Sequence, residues 1–193
     1  MEHFIVAQFE NILIRPLEIR DIELLRQWRN DEKISTYLAP IPYISVEMQK
    51  NWFDRYLLDK DNITFVIEEN QLLKRVVGSI SIYGFQEDQA EIGKIVIGDE
   101  EAHGKQVGYR ALLLALSYGY KFLRINKFLL NVHEDNVAAR TIYQKVGFKI
   151  VGQHLFMKGG YELEMELYKE WFEHINPCVV DITYCNKLEG ANI

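Results

Sequence analysis

Residues 127–148 read KFLLNVHEDNVAARTIYQKVGF. The first seven, KFLLNVH, predict a strand ending on His133, and the stretch from Asp135 to Val146 predicts a short amphipathic helix. Asn136 has the chemistry of an N-cap, and Gly147 is a natural residue for the position just past the last turn. Tyr143 follows Asn136 by seven residues, two turns along the same helix face, so the two side chains and Ala139 between them share one edge.

Upstream the pattern repeats on a larger scale. Residues 89–98 (QAEIGKIVIG) predict a strand, and a glycine-spaced turn, HGKQVG, opens an apolar helix that ends near Arg124. Strand, helix and strand in succession imply one parallel pair joined by a crossover. Residues 63–68 and 75–83 predict a hairpin that leads into 89–98, an antiparallel meander. Nearer the N-terminus, 11–15 predict a strand. Ile22, Leu25 and Trp28 recur at helical spacing over 19–30, and Ser45 caps a helix running to about Leu58. Pro40 and Pro42 keep the intervening segment out of a helix. Two strands, 148–156 and 161–168, close the series. The fold class is therefore mixed α/β (α+β): a mostly antiparallel sheet of six to seven strands with about four helices. A doubly wound parallel sheet does not fit.

Two glycines and a lysine at a helix start suggest backbone N–H groups facing a phosphate. A nucleotide P-loop does not fit: five residues separate Gly98 from Gly104, and Gln106 stands where a hydroxyl would hold magnesium. A dinucleotide fingerprint fails on the spacing of Gly104 and Gly108. A third pattern, [QR]-x-x-G-x-[GA], places His103 first and Gly108 last, with Lys105 adding positive charge and Gln106 in place of the first glycine.

The 193 residues suit one domain; 48% are apolar and 26% charged, ordinary for a globular chain. No apolar run approaches the roughly 18–20 residues that cross a bilayer. The N-terminus carries no basic region or cleavage pattern, so a cytoplasmic location is expected and no membrane partner. A net charge of −6 disfavours nucleic acid and mildly favours amine substrates. Cys178 and Cys185 match no zinc or redox spacing and read as reduced thiols; no metal is expected.

The run N-x-x-A-x-x-x-Y-x-K-x-G-F over 136–148 resembles the coenzyme-A-binding half of the GNAT N-acetyltransferases. The resemblance covers about residues 11–168. Arg15-Pro-Leu, the WRNDE run from Trp28, the AEIG run from Ala90 and the FMKGGY run from Phe156 are similar to the branch of ribosomal-protein N-terminal and spermidine acetyltransferases. The resemblance implies a domain over 1–170 and a tail, 171–193, without a matched element. It implies a sheet split between the strands 89–98 and 127–133, with acetyl-CoA in the wedge. Backbone groups of Ile95, Val96 and Ile97, at a bulge, would bond the pantetheine arm, and one N–H there would serve as an oxyanion donor. The loop His103, Gly104, Lys105, Gln106, Val107, Gly108 and Tyr109 would hold the pyrophosphate. Asn136 would bond the cofactor, Ala139 would let it pass, and Tyr143 would return a proton to the thiolate. Glu91 is the leading candidate base, directly or through water, and His133 the second. Glu32, Tyr37 and Tyr83 would line the acceptor pocket.

The implied reaction is direct attack by a primary amine in a ternary complex, since no Cys or Ser nucleophile with a partner base is visible. A protein N-terminus, a polyamine or another small amine would be the acceptor. An aminosugar-nucleotide N-acetyltransferase and a non-catalytic acyl-CoA-binding module remain as alternatives, and the resemblance leaves a homodimer open.

Overall fold

A computed structural model describes residues 5–177 and 182–186. The readings of Cys178 as a reduced thiol and of the first four residues as no leader fall outside them. Cys185 is a free, exposed thiol.

The first half of the chain forms β1 (Ile5–Phe9), β2 (Ile12–Pro16), α1 (Ile22–Asn30), α2 (Glu32–Ser35), α3 (Val46–Tyr56), β3 (Asn62–Glu69) and β4 (Arg75–Gln86). The second half forms β5 (Gln89–Ile97), α4 (Val107–Phe122), β6 (Lys127–His133), α5 (Val137–Val146), β7 (Lys149–Leu155), β8 (Tyr161–Tyr168), α6 (Lys169–Ile175) and β9 (Thr183–Asn186). All nine strands lie in one sheet, ordered β7-β8-β6-β5-β4-β3-β2-β1-β9. The expected meander and crossover are both present. Every pair is antiparallel except β5–β6, which α4 connects.

Among the described residues the sheet carries two to three more strands, and the chain two more helices, than the sequence reading counts. β1 is missed because its turn to β2 uses Glu10, at φ 52°, where glycine would have signalled a hairpin. β9 is four residues long and pairs with β1 from the far end of the chain. The tail set apart in the sequence reading thus contributes α6, whose Phe172 is buried in the core, and β9, whose Tyr184 hydroxyl lies 2.5 Å from Ser117 on α4.

Period-two alternation divides the strands between two faces. Ile63, Phe65 and Ile67 of β3 join the main core under α4, while Val66 packs with Leu17, Ile22 and Phe53 beneath α1 and α3. α4 is buried around most of its circumference, which explains its unbroken apolar run. Arg15 has a structural reason to open the domain. Its guanidinium meets Asp21 bidentately at 2.7 and 2.8 Å and Glu68 at 2.7 Å, tying the end of β2 to the turn before α1. Trp28 anchors α1 to the sheet: a Cβ on Gly98 would lie 2.2 Å from its indole, so only glycine fits there. Among the described residues, no helix is long and apolar enough to cross a membrane.

Candidate active site

The site begins where the sheet comes apart. β5 and β6 pair only from Gln89 to Glu91 and from Lys127 to Leu129, and then diverge. Beyond Glu91, one edge of β5 therefore faces a gap. On its other edge the register with β4 jumps from Ser81–Gly93 to Ser79–Val96, leaving Lys94 and Ile95 as a bulge with Lys94 at φ 51°. This bulge starts just ahead of the stretch expected from sequence. It turns Ile95 and Ile97 into the main core and leaves Lys94 and Val96 facing a cleft.

At the end of β5 the chain enters the glycine loop. The His103 ring N–H donates to the Ile97 carbonyl (2.9 Å), so this side chain braces the strand end. Gly104 takes φ 74° with open space around it, and Gln106 takes the left-handed φ 59° with its side chain exposed, just before Val107 starts α4. Among the described residues, no acceptor is hydrogen-bonded to the backbone N–H groups of Gly104 to Gly108. Open N–H groups at the start of a 16-residue helix suit an anion such as a diphosphate. A Cβ on Gly108 would make only ordinary contacts, with Ile142 (3.6 Å) and Ile97 (3.8 Å), so the glycine leaves the backbone open to approach from outside. Arg110 holds the loop from behind, donating to the Lys105 carbonyl (2.8 Å) and pairing with Glu10. The Lys145 ammonium sits 3.9 Å over the Tyr109 ring.

Across the gap, the Asn136 side-chain oxygen accepts from the Ala139 N–H (3.1 Å). It is an N-cap, which leaves its amide N–H groups for any ligand. Ala139 is half-buried. Tyr143, two turns on, is buried against Phe148 (centroids 5.9 Å), and burial pushes its phenol up to about 12. Tyr83 on β4 pairs across the strands with Glu91. Its phenol is raised first by burial, then by the Glu91 charge, with smaller effects from Tyr143 and Glu162. The Lys94 ammonium lies 4.0 Å over the Tyr83 ring. Tyr83, Glu91, Lys94 and Tyr143 thus converge at the head of the gap.

The second candidate base is committed elsewhere. His133 Nδ1 accepts from the Asp135 N–H (3.2 Å) and Nε2 donates to the Gly159 carbonyl (3.1 Å), leaving no lone pair for a substrate proton. Tyr37 packs on that ring at 5.6 Å and lines the cleft together with Tyr83. Glu32 is exposed and not part of the cleft wall. The cleft itself, about 1180 Å³, lies between α1, α3, the segment joining them and the open face of β3–β5.

This geometry has counterparts among known proteins. Residues 11–149 match the sequence model of the acetyltransferase (GNAT) domain. The chain belongs to the GNAT acetyltransferase family. Among relatives, this GNAT chain is similar to the N-acetyltransferase 9-like protein of Caenorhabditis briggsae, 29% identical over 178 residues, 85% of this chain and 86% of the relative. It is also similar to the spermidine N(1)-acetyltransferase of Escherichia coli (strain K12), 29% identical over 154 residues, 78% and 81% of the two chains. In fold it resembles the Vibrio cholerae spermidine N-acetyltransferase solved with CoA and spermine. That likeness has a TM-score of 0.76 at 22% identity and covers 85% of this chain and 99% of the other.

Sequence reasoning on this acetyltransferase missed Lys94 and Arg29, which also lines the cleft. The signal for Lys94 was present: in EIGKIVI a glycine and a lysine interrupt the apolar alternation where the bulge sits. Arg29 lies in the WRNDE run but offered no chemistry until the fold set it on a cavity wall.

Proposed function

We propose that this GNAT enzyme transfers an acetyl group from acetyl-CoA to a primary amine by direct attack within a ternary complex. The observation that carries the reading is the gap between β5 and β6, with open N–H groups at the start of α4 and Tyr143 buried on α5. In this reading the N–H groups from Gly104 to Tyr109 bind the diphosphate, with Lys105 and the α4 dipole adding attraction. The free edge of β5 at Ile95–Ile97 bonds the pantetheine as an added strand, and one N–H there stabilises the developing oxyanion. Acetyl-CoA supplies the activated acetyl group when bound. Glu91, beside Tyr83, takes the proton of the amine directly or through water. Tyr143 gives one to the departing sulfur; its raised pKa keeps the phenol protonated throughout the neutral range. Asn136 bonds the cofactor through its amide N–H groups, and Ala139 keeps the passage clear. Relatives named for spermidine acetylation support an amine acceptor.

Isothermal titration of the protein with acetyl-CoA is the first test. Micromolar binding, followed by free-thiol release with a panel of amines, is the expected outcome. No binding at millimolar acetyl-CoA would remove the reading. Binding without thiol release on any amine would favour a binding module over an enzyme.

A further inference from the structure

We propose that the acceptor cleft takes an amine that also carries an anionic group, a carboxylate or a phosphate, and that Arg29 and Lys94 are its seat. This rests on the acetyltransferase reading above and adds the acceptor's chemical class.

The cleft wall carries the cations Arg29, Arg55 and Lys94. Other arginines pair with carboxylates, Arg15 with Asp21, Arg26 with Glu23, Arg75 with Asp99 and Arg110 with Glu10, whereas Arg55 and Arg140 donate to the Asn51 and Glu134 carbonyls. Arg29 likewise donates to the Ala39 carbonyl, and no described carboxylate forms an ion pair with it. Lys94 has no carboxylate within ion-pairing distance among the described residues either, and stands over the Tyr83 ring. Both are partly desolvated: burial lowers the pKa of each, and for Lys94 the Arg29 charge adds to that while Glu91, Asp59 and Asp61 act against it from a distance. The two cations therefore lie in one another's field in the same cleft, Arg29 from α1 and Lys94 from β5.

Of the carboxylates lining the cleft, Glu162 is in contact with His154 (3.2 Å) and Asp54 lies exposed on α3, and neither forms an ion pair with Arg29 or Lys94. Arg29, partly desolvated with no carboxylate in ion-pair contact, and Lys94, whose nearest carboxylates act only from a distance, form an arrangement that a ligand anion relieves. The bulge fixes Lys94 beside Tyr83, and Tyr83 adjoins Glu91, so the seat lies next to the point where an amine would lose its proton. A small acceptor can then place its amine at Glu91 and its anion on Lys94 and Arg29 together. A polyamine would bring like charge to both.

The test uses matched amines with the intact protein: glucosamine against glucosamine phosphate, and butylamine against aminobutyrate, with spermidine as the polycation. Thiol release gives kcat and KM. Calorimetric titration of the protein holding desulfo-coenzyme A gives binding without turnover. The expected result is that the acidic member of at least one pair is favoured by about tenfold or more, through KM and Kd. Which pair responds separates phosphate from carboxylate. Arg29→Gln and Lys94→Gln should erase that preference with acetyl-CoA affinity retained, and Lys94→Glu should move it towards spermidine. Acidic members that bind no better than their neutral partners in both pairs would overturn the proposal, whatever the turnover. So would spermidine binding more tightly than either acid. Loss of acetyl-CoA binding would count against the transferase reading instead and is measured separately.

Discussion

Tyr143 presents a hydroxyl with no described hydrogen-bond partner and a ring packed on Phe148. Replacing it by Phe therefore removes a proton without disturbing the packing. If Tyr143 is the acid, Tyr143→Phe lowers kcat by about 10²-fold or more while the acetyl-CoA Kd stays within a factor of about two. Thiol release and calorimetry together read both quantities. The sign of the pH dependence follows from the phenol. Its pKa is raised to about 12, so its protonated form persists well above neutrality. The wild-type rate should rise as the amine deprotonates, with no descending limb below about pH 10. A descending limb centred well below that would exclude Tyr143 as the acid. Helix periodicity sets Tyr143 two turns from Asn136, but its role as the acid is what the resemblance to the family motif implies. The meeting of Tyr83 with Lys94 was not legible, since it depends on a cross-strand register that no single stretch of sequence encodes.

At the scale of elements, the start of α4 decides how well the loop works. Gln106 holds a left-handed backbone, which costs a non-glycine residue about 1–2 kcal/mol, while glycine carries an unfolded-state cost of about 0.5–1 kcal/mol. Gln106→Gly should thus stabilise the protein by about 0.5–1 kcal/mol and raise Tm by about 1–4 °C. Because the Gln106 side chain already points to solvent, acetyl-CoA affinity should be unchanged or slightly tighter. A clear loss of affinity on titration would show that Gln106 itself contacts the ligand. The elements most legible in sequence were those with local signals. Ser45 caps α3 by accepting from the Met48 N–H (3.1 Å), and Gly147 closes α5 at φ 114°. β1 and β9 escaped because each is defined by a partner strand rather than by its own residues, whereas the bulge was expected from the resemblance and lies one residue earlier.

For the whole molecule, buried phenols set the alkaline limit. Burial raises Tyr118 and Tyr143 to about 12 and Tyr120 further in the same direction. Unfolded tyrosines ionise near about pH 10, so the native state is fully favoured below that and loses stability as pH climbs towards the folded values. At about pH 11 the loss from Tyr118 and Tyr143 alone is roughly 2–3 kcal/mol, and Tm should fall at least about 5 °C from its value at about pH 9. Thermal melts followed by circular dichroism, with a further rise in phenolate absorbance on unfolding above the native signal of the exposed tyrosines, would check this. A native-state signal that already accounts for all eleven tyrosines would mean that the buried rings are reached by water.

The pairing of β9 with β1 joins strands made at opposite ends of synthesis. On a ribosome adding about 5–20 residues per second, Ile5–Phe9 emerges roughly 10–35 s before Thr183–Asn186 can reach it. For that interval the nascent sheet has an unpaired outer edge able to capture another chain. The window closes only when β9 docks, so the pace of translation between the two strands sets how long the newborn edge is exposed to misassembly.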